Sequence, residues 1–181
     1  MLFLFLLIYS LTEVASLLLA LNQIKNGTLL NFYTFIEFVF IGLIYHLEIK
    51  SKNYYKYFLI CIIIYTLVFI VNGLFYNGFN SLDSFTSTLS STLIISFCIY
   101  YFTYTLNTME IISLTKNYFF WLNGAFFFYF TCSLFIFIFS TYILNEKSKQ
   151  HRYLWLINYF LSIIYNLIIC LSIYKWKKAK T

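Results

Sequence analysis

The chain has 181 residues, of which 62% are hydrophobic and only 10% are charged, and its formal net charge is +6. Water-soluble domains carry about 25% charged residues, so this composition excludes an ordinary soluble domain. A basic soluble protein would suggest a nucleic-acid partner, but here the lysines flank apolar runs, and we expect none. The sequence predicts a single transmembrane domain over residues 1–181.

Six apolar runs follow one another with short polar connections between them. A helix needs about 20 apolar residues to cross the hydrocarbon core of a bilayer, and the runs have about this length. We therefore expect an all-α, polytopic transmembrane helical bundle with about six spans, at residues 2–21, 29–47, 57–77, 85–106, 118–143 and 153–174. The first run lacks a basic start and is interrupted by Glu13, which predicts a retained helix and not a secretory signal.

The first two runs each carry a polar stripe at three-residue spacing. The stripes are Ser10, Glu13 and Ser16 in the first run and Asn31, Thr34 and Glu37 in the second. Because a carboxylate at mid-bilayer costs about 3 kcal/mol, we expect both stripes to face the bundle interior. Two interpretations stay open: the glutamates form a proton or cation path or a polar ligand cavity, or they hydrogen-bond across helices and hold the bundle together.

Hydroxyl residues occupy every fourth position of the fourth run. They are Ser84, Thr88, Thr92 and Ser96. Small hydroxyl side chains let helix backbones approach closely and can bond to carbonyls of their own helix. We interpret the row as a helix-packing seam, and the alternative is the wall of a hydrophilic cavity.

The last two runs carry amide side chains that need hydrogen-bond partners in lipid. The sixth run repeats Asn158, Ser162 and Asn166 at four-residue spacing, and Asn123 lies in the fifth. We expect a buried polar network, or a ligand-facing one, that contains Glu13, Glu37, Asn123, Asn158 and Asn166.

Aromatic and basic residues mark the ends of the last two runs. Indole rings prefer the membrane interface, and each lysine near an anionic leaflet contributes about 1 kcal/mol. We therefore expect an interfacial anchor made of Trp121, Trp155, Lys175, Trp176, Lys177, Lys178 and Lys180.

The distribution of basic residues predicts the orientation. Eight lie on the side of the two termini: Lys50, Lys52, Lys56, Lys116, Lys175, Lys177, Lys178 and Lys180. Four lie on the other side: Lys25, Lys147, Lys149 and Arg152. Since cytoplasmic loops are enriched in Lys and Arg, we expect a multi-pass protein of the bacterial cytoplasmic (inner) membrane with both termini in the cytoplasm.

Known intramembrane enzymes need side chains that this sequence does not supply in the required number. Metalloproteases need clustered histidines, rhomboid-type proteases need a serine and a histidine within reach, and aspartyl types need two aspartates. The chain has His46, His151 and Asp83. Its four cysteines fall singly in four runs, without ligand spacing. We expect no catalytic residue, no metal and no cofactor.

Three strings resemble the recurring signatures of an uncharacterised family of small multi-pass membrane proteins from Bacteroidota. They are residues 31–38, the pair Phe120 and Trp121 followed by Tyr129, and Trp155 to Asn158 continuing through Asn166 to Lys175. The chain has Ala125 and Asn158 where members have Gly and His, and members often have one further N-terminal helix. The resemblance implies six or seven helices and no established activity. The position of members near sensor kinase genes implies a signalling accessory.

Together these patterns predict a non-enzymatic membrane sensor or accessory subunit. Its expected partners are the lipid bilayer and another membrane protein, a second copy or a small ligand. The alternative is a small transporter or proton- or cation-conducting protein that uses Glu13 and Glu37. The sequence contains no proline, so the broken helices of many transporters would depend on glycine alone, which favours the first hypothesis. A lateral groove would support sensing or association, whereas a polar stripe across the bilayer would support transport.

Overall fold

In the part of the chain that it describes, the computed structural model contains six α-helices, which follow the six apolar runs. They are α1 (Leu2–Leu21), α2 (Gly27–Ile49), α3 (Lys52–Phe75), α4 (Ser84–Thr108), α5 (Tyr118–Ile143) and α6 (Gln150–Lys180). The structure describes residues 1–22, 24, 26–49, 51–75, 84–108, 117–143 and 150–180, except for the side chains at 17, 20, 140–143, 150–155 and 175–180. These ranges contain no strand, which confirms the all-α prediction.

The helix bounds differ from the expected spans mainly in α3 and α6. Helix α3 begins at Lys52 and not at residue 57, and α6 continues to Lys180, beyond residue 174. Hydropathy identifies only the part of a helix that lies in hydrocarbon, whereas the backbone can remain helical in the interface, where polar side chains meet water. The basic residues at these ends extend the helices without extending the apolar runs.

Within the described residues, five helices contain a stretch long and apolar enough to cross a membrane. The stretches are Gly27–Ile49, Lys52–Phe75, Ser84–Thr108, Tyr118–Phe139 and Leu156–Tyr174. Helix α1 has a shorter apolar stretch among the described residues, Leu2–Ser16. The protein is therefore a helical, membrane-type bundle with five candidate spans and one further apolar helix.

The chain divides into two compact units, unit 1 (Met1–Ser90) and unit 2 (Ser91–Thr181). In unit 1, α2 packs against both α1 and α3. Helix α1 runs antiparallel to α2, because Tyr9 packs against Tyr33 at a ring-centroid distance of 6.0 Å while Asn26 Nδ2 donates a 2.8 Å hydrogen bond to Ser16 Oγ. In unit 2, α5 packs against α6.

A close approach at Gly42 joins α2 to α3. A Cβ atom at this position would lie 2.6 Å from Phe58 Cδ2 and would overlap with Cε2 of the same ring. The Tyr54 hydroxyl donates a 3.1 Å hydrogen bond to the Gly42 carbonyl, and its ring stacks on Phe58. Phe58 and Tyr54 are both buried. The absence of a side chain at Gly42 thus lets an aromatic ring of α3 lie directly on the α2 backbone.

Aromatic stacking also joins the two long helices of unit 2. The rings of Tyr129 in α5 and Tyr165 in α6 stack with centroids 4.4 Å apart and planes 21° apart. Phe126 approaches the same Tyr165 ring at 6.0 Å. Tyr165 is fully buried. Such aromatic pairs contribute about 1 kcal/mol beyond the area that they bury.

Candidate functional site

The polar stripe of α2 turns inward, as the sequence predicts. Asn31 is 4% exposed and Glu37 is 8% exposed. Thr34 is half-buried, and its hydroxyl bonds to the Leu30 carbonyl of its own helix at 2.9 Å. Glu37 lies beside Phe38, which packs against Tyr65 of α3 at 4.6 Å. The packing of α2 on α3 therefore holds a carboxyl group in an apolar part of unit 1.

Tyr33 supplies a hydrogen bond to this carboxyl group. Its hydroxyl donates to Glu37 Oε1 at 3.0 Å. The two residues are four positions apart on α2, a spacing that places side chains on the same helix face. The Tyr33 ring in turn contacts Tyr9 of α1. A buried carboxyl without a partner is costly, so this bond stabilises Glu37 at its position.

The polar stripe of α1 does not face inward, contrary to the sequence prediction. Ser10 and Glu13 are exposed, and only Ser16 is half-buried. Large aromatic rings decide which face α1 presents to α2. Among the described side chains of this helix, Phe5 and Tyr9 are the buried ones, and burying them stabilises more than burying a carboxyl group. Glu13 lies within electrostatic reach of Glu37. It makes no hydrogen bond to any residue that the structure describes.

An open groove of about 450 Å³ lies between α1 and α2. Thr28, Phe32, Tyr33 and Ile36 of α2 line it together with Thr12 and Leu19 of α1. Its walls are mostly apolar, and the two threonines and the Tyr33 hydroxyl are its polar groups. Tyr33 belongs to both the groove wall and the hydrogen bond with Glu37. The groove therefore leads from the side of the hairpin to the neighbourhood of the buried carboxyl.

The three amides of the expected network lie in unit 2 and have different surroundings. Asn123 is fully buried in α5. Asn166 Nδ2 donates a 2.9 Å hydrogen bond to the Ser162 carbonyl of its own helix. The Oδ1 atom of half-buried Asn158 is enclosed and accepts no hydrogen bond from the described residues. The described contacts of Asn158 and Asn166 thus do not link them to a second helix by a hydrogen bond.

The predicted helix-packing seam of α4 does not coincide with the buried face of this helix. Thr92 is exposed, and Ser84, Thr88 and Ser96 are half-buried. The buried side consists of Thr86, Ser87, Ser90, Ser91, Ile94, Phe97, Cys98, Tyr101 and Thr105. A row with strict four-residue spacing drifts around a helix that has 3.6 residues per turn, whereas alternating steps of three and four stay on one face. The alternating spacing of three and four residues is therefore the sequence pattern that identifies the buried side of α4.

The predicted interfacial anchor lies mostly outside the described side chains. Trp121 is described and is exposed in the first turn of α5. The other members lie on the α6 backbone, with side chains outside the described part of the chain: Trp155, Lys175, Trp176, Lys177, Lys178 and Lys180.

Sequence reasoning missed three features of unit 1. It did not identify Gly42 as a contact point, nor Tyr33 as the partner of Glu37, although the four-residue spacing of the latter pair is visible in the sequence. It also missed the aromatic contacts of His46, whose ring lies 5.0 Å from Tyr55 and stacks on Tyr54 at 6.4 Å. Contacts with Tyr54 and Tyr55 depend on how α2 and α3 pack, which no local pattern shows.

Within the described ranges, no group of three or more His, Cys, Asp or Glu side chains could hold a metal ion. Comparisons of the chain with protein-family models, with curated proteins and with solved structures gave no match. The geometry of the groove and of the Tyr33–Glu37 pair is therefore the basis for a functional proposal.

Proposed function

We propose that the protein is a non-enzymatic membrane sensor or accessory subunit that receives a small ligand or a partner helix in the groove between α1 and α2. The observation that carries this proposal is the groove itself, which opens along the sides of two helices and is lined by Tyr33, the residue that donates a hydrogen bond to Glu37. An occupant that moves the Tyr33 ring would alter the only described hydrogen bond to a buried carboxyl group. Such a contact can couple binding to a change in α2 packing.

The proposal includes a location in the bacterial inner membrane, six crossings and cytoplasmic termini. The basic residues favour this orientation. The sixth crossing is supported by α1, which lies beside candidate span α2 from the Asn26–Ser16 hydrogen bond to the Tyr9–Tyr33 contact. Because α1 lies alongside α2 over this length, a crossing of the hydrocarbon core by α2 places α1 in the same hydrocarbon environment. The expected signalling role, implied by the Bacteroidota resemblance, belongs to the same proposal.

A second candidate function is proton or cation transport. It is favoured by Glu37, a buried carboxyl at the middle of α2, and by Glu13, which lies within electrostatic reach of it. Intramembrane carboxyls often mark ion paths. The exposed position of Glu13 and the lateral opening of the groove give more support to the first function.

Photo-crosslinking tests the groove as a binding site. A benzoylphenylalanine introduced at Phe32, in the groove wall, should yield one discrete adduct in native membranes, either a protein or a small molecule identified by mass spectrometry. The matched control is Ile63, which is 57% exposed on α3 and does not line the groove. The same diffuse lipid adducts at both positions would contradict the proposal.

A further inference from the structure

Helix α6 is the least buried of the five candidate spans. The buried share of its apolar stretch is 22%, whereas it is 28–39% in the other four. Among the described side chains of α6, Tyr165, Ile169 and Ser172 are the buried ones, and Tyr165 stacks on Tyr129 of α5. One side of α6 therefore contacts α5, and much of the remaining surface is exposed.

A row of four residues lies on the exposed part of α6. The row, which we call the amide face, consists of Tyr159, Ile163, Asn166 and Cys170, separated by steps of four, three and four positions. Such alternating steps stay on one side of a helix and are typical of helices that pack lengthwise against a neighbour. Tyr159 is 57% exposed, Ile163 is 59% exposed, Cys170 is exposed and Asn166 is half-buried.

Asn166 has hydrogen-bonding groups that its own helix does not use. It lies near the middle of the Leu156–Tyr174 stretch. A side-chain amide offers two N–H donors and a carbonyl acceptor. One donor bonds to the Ser162 carbonyl at 2.9 Å, and Asn166 makes no other hydrogen bond to the described residues. Because hydrocarbon supplies no water to replace a missing partner, the amide favours a neighbour that both donates and accepts at this depth.

We propose that two copies of the chain associate through the amide face, and that Asn166 of each copy donates a hydrogen bond to the Asn166 carbonyl oxygen of the other. The inference goes beyond the proposed function, because it uses no residue of the groove. Hydrogen bonds between polar side chains hold helices together in membranes. The apolar members of the face, Tyr159 and Ile163, would pack around the amide pair.

A second copy fits this face better than an unrelated helix does. Copies of one chain carry the same distribution of basic residues and therefore insert with the same topology. Their α6 helices are then parallel, and Asn166 lies at the same depth in both. A two-fold axis brings identical residues together, and the amide is its own complement since it donates and accepts. A different protein would have to supply a matching polar group at this depth.

The basic end of α6 acts against the association. Lys175, Lys177, Lys178 and Lys180 follow the amide face, and a parallel pair brings these like charges close together. They lie beyond the apolar stretch, where salt screens charges over about 10 Å and anionic headgroups attract lysines. The amide pair lies in hydrocarbon, where neither effect weakens it.

Cys170 allows a direct test, because its thiols would face each other across the two-fold axis. We suggest a full chain in which Cys170 is the sole cysteine, with Cys61→Ala, Cys98→Ala and Cys132→Ala, produced in cells as two copies with different epitope tags. Copper phenanthroline, which oxidises adjacent thiols to a disulfide, is added to the native membranes. We expect a disulfide-linked product that carries both tags. The matched control combines Cys170→Ala with Leu171→Cys, which moves the thiol by about 100° around the helix to a position that is 55% exposed. This control should crosslink several-fold less, and equal crosslinking of the two would overturn the inference.

The role of the amide is tested in the same background. Asn166→Leu should lower the crosslinking of Cys170 several-fold, because leucine has a similar size and neither donates nor accepts a hydrogen bond. If this variant does not accumulate, Ile163→Trp tests the same face with a bulky side chain at an exposed position, and it should also lower crosslinking. Its control, Ile157→Trp, is placed on another side of α6 at a residue that is 51% exposed and should crosslink normally. Wild-type crosslinking in Asn166→Leu or in Ile163→Trp, or a Cys170 product with a different protein in place of the second copy, would overturn the inference.

Discussion

The ring of Phe58 lies where a side chain at position 42 would be, so α2 and α3 touch through Gly42 with no space between them. Gly124 in α5 offers the opposite situation, because a Cβ atom there would meet nothing within 4 Å. The two glycines thus form a matched pair for testing helix contact in the same protein.

Gly42→Ala should lower the free energy of unfolding by about 1–3 kcal/mol, because overpacking forces the buried Phe58 ring to move. Gly124→Ala should leave it unchanged or raise it by up to about 1 kcal/mol, since alanine favours helix more than glycine does. Thermal unfolding in mild detergent measures both variants. Equal stability of the two variants would show that the α2–α3 contact is looser than the structure indicates.

Tyr33→Phe removes the hydroxyl that donates to Glu37 and retains the ring that contacts Tyr9. We expect a loss of about 1 kcal/mol in the free energy of unfolding, the usual net value of such a bond. Tyr55→Phe is the control, because Tyr55 is 45% exposed at the start of α3. The prediction fails if both phenylalanine variants unfold at the same temperature as the wild type.

Substitution with lysine should affect the two glutamate positions differently. Glu37→Lys places a cation in a buried position, so we expect membrane accumulation to fall several-fold, consistent with a cost of about 3 kcal/mol for a charge at mid-bilayer. Glu13→Lys should accumulate closer to the wild-type level, because a lysine on the exposed face of α1 can extend its long side chain toward the interface, whereas a lysine at the buried position 37 cannot. Glutamine should be tolerated at both positions. Quantitative immunoblotting of membrane fractions measures this difference. A larger loss for Glu13→Lys would show that α1 is rotated relative to the described packing.

Ion flux distinguishes the two candidate functions. Vesicles that contain the purified protein should be no leakier to protons than empty vesicles if the groove serves sensing or association. A pH-sensitive dye inside the vesicles records the flux under an imposed gradient. Reproducible flux that Glu37→Gln abolishes without loss of folded protein would support transport, because an amide cannot release a proton in this range.

The crossing of α1 can be tested by labelling its two ends. In a variant with the four native cysteines changed to alanine, a cysteine at Asn22, which is exposed at the end of α1, should react with an impermeant thiol reagent added from outside. A tag before Met1 and a tag after Thr181 should both be protected. If the cysteine at Asn22 is protected, the predicted orientation is reversed. If the tag before Met1 and the cysteine at Asn22 are both accessible from outside, both ends of α1 lie on the same side of the membrane.

The sequence predicts the helices well because the length of an apolar run is a direct physical requirement for crossing a bilayer. It also predicts that Glu37 is buried, since the cost of a charge in lipid applies to any arrangement of helices. It fails for Glu13 because the orientation of α1 depends on how Phe5 and Tyr9 pack. It fails for the α4 seam because the row with strict four-residue spacing drifts around the helix, whereas the buried side, which includes Ser91 and not Thr92, follows alternating steps of three and four residues. Which face of a helix is buried depends on tertiary packing, whereas helix formation in lipid depends almost entirely on the segment itself.

The hydrogen bond between Tyr33 and Glu37 lies within a single helix. It can therefore form during membrane insertion, as soon as α2 is helical and before α1 and α3 are in place. The Glu37 carboxyl group then enters the lipid with its hydrogen-bond donor supplied by the same helix. This lowers the free-energy barrier for the transfer of α2 from the insertion machinery into the lipid. Replacing Tyr33 with phenylalanine would in this way slow biogenesis even where the finished protein retains its fold.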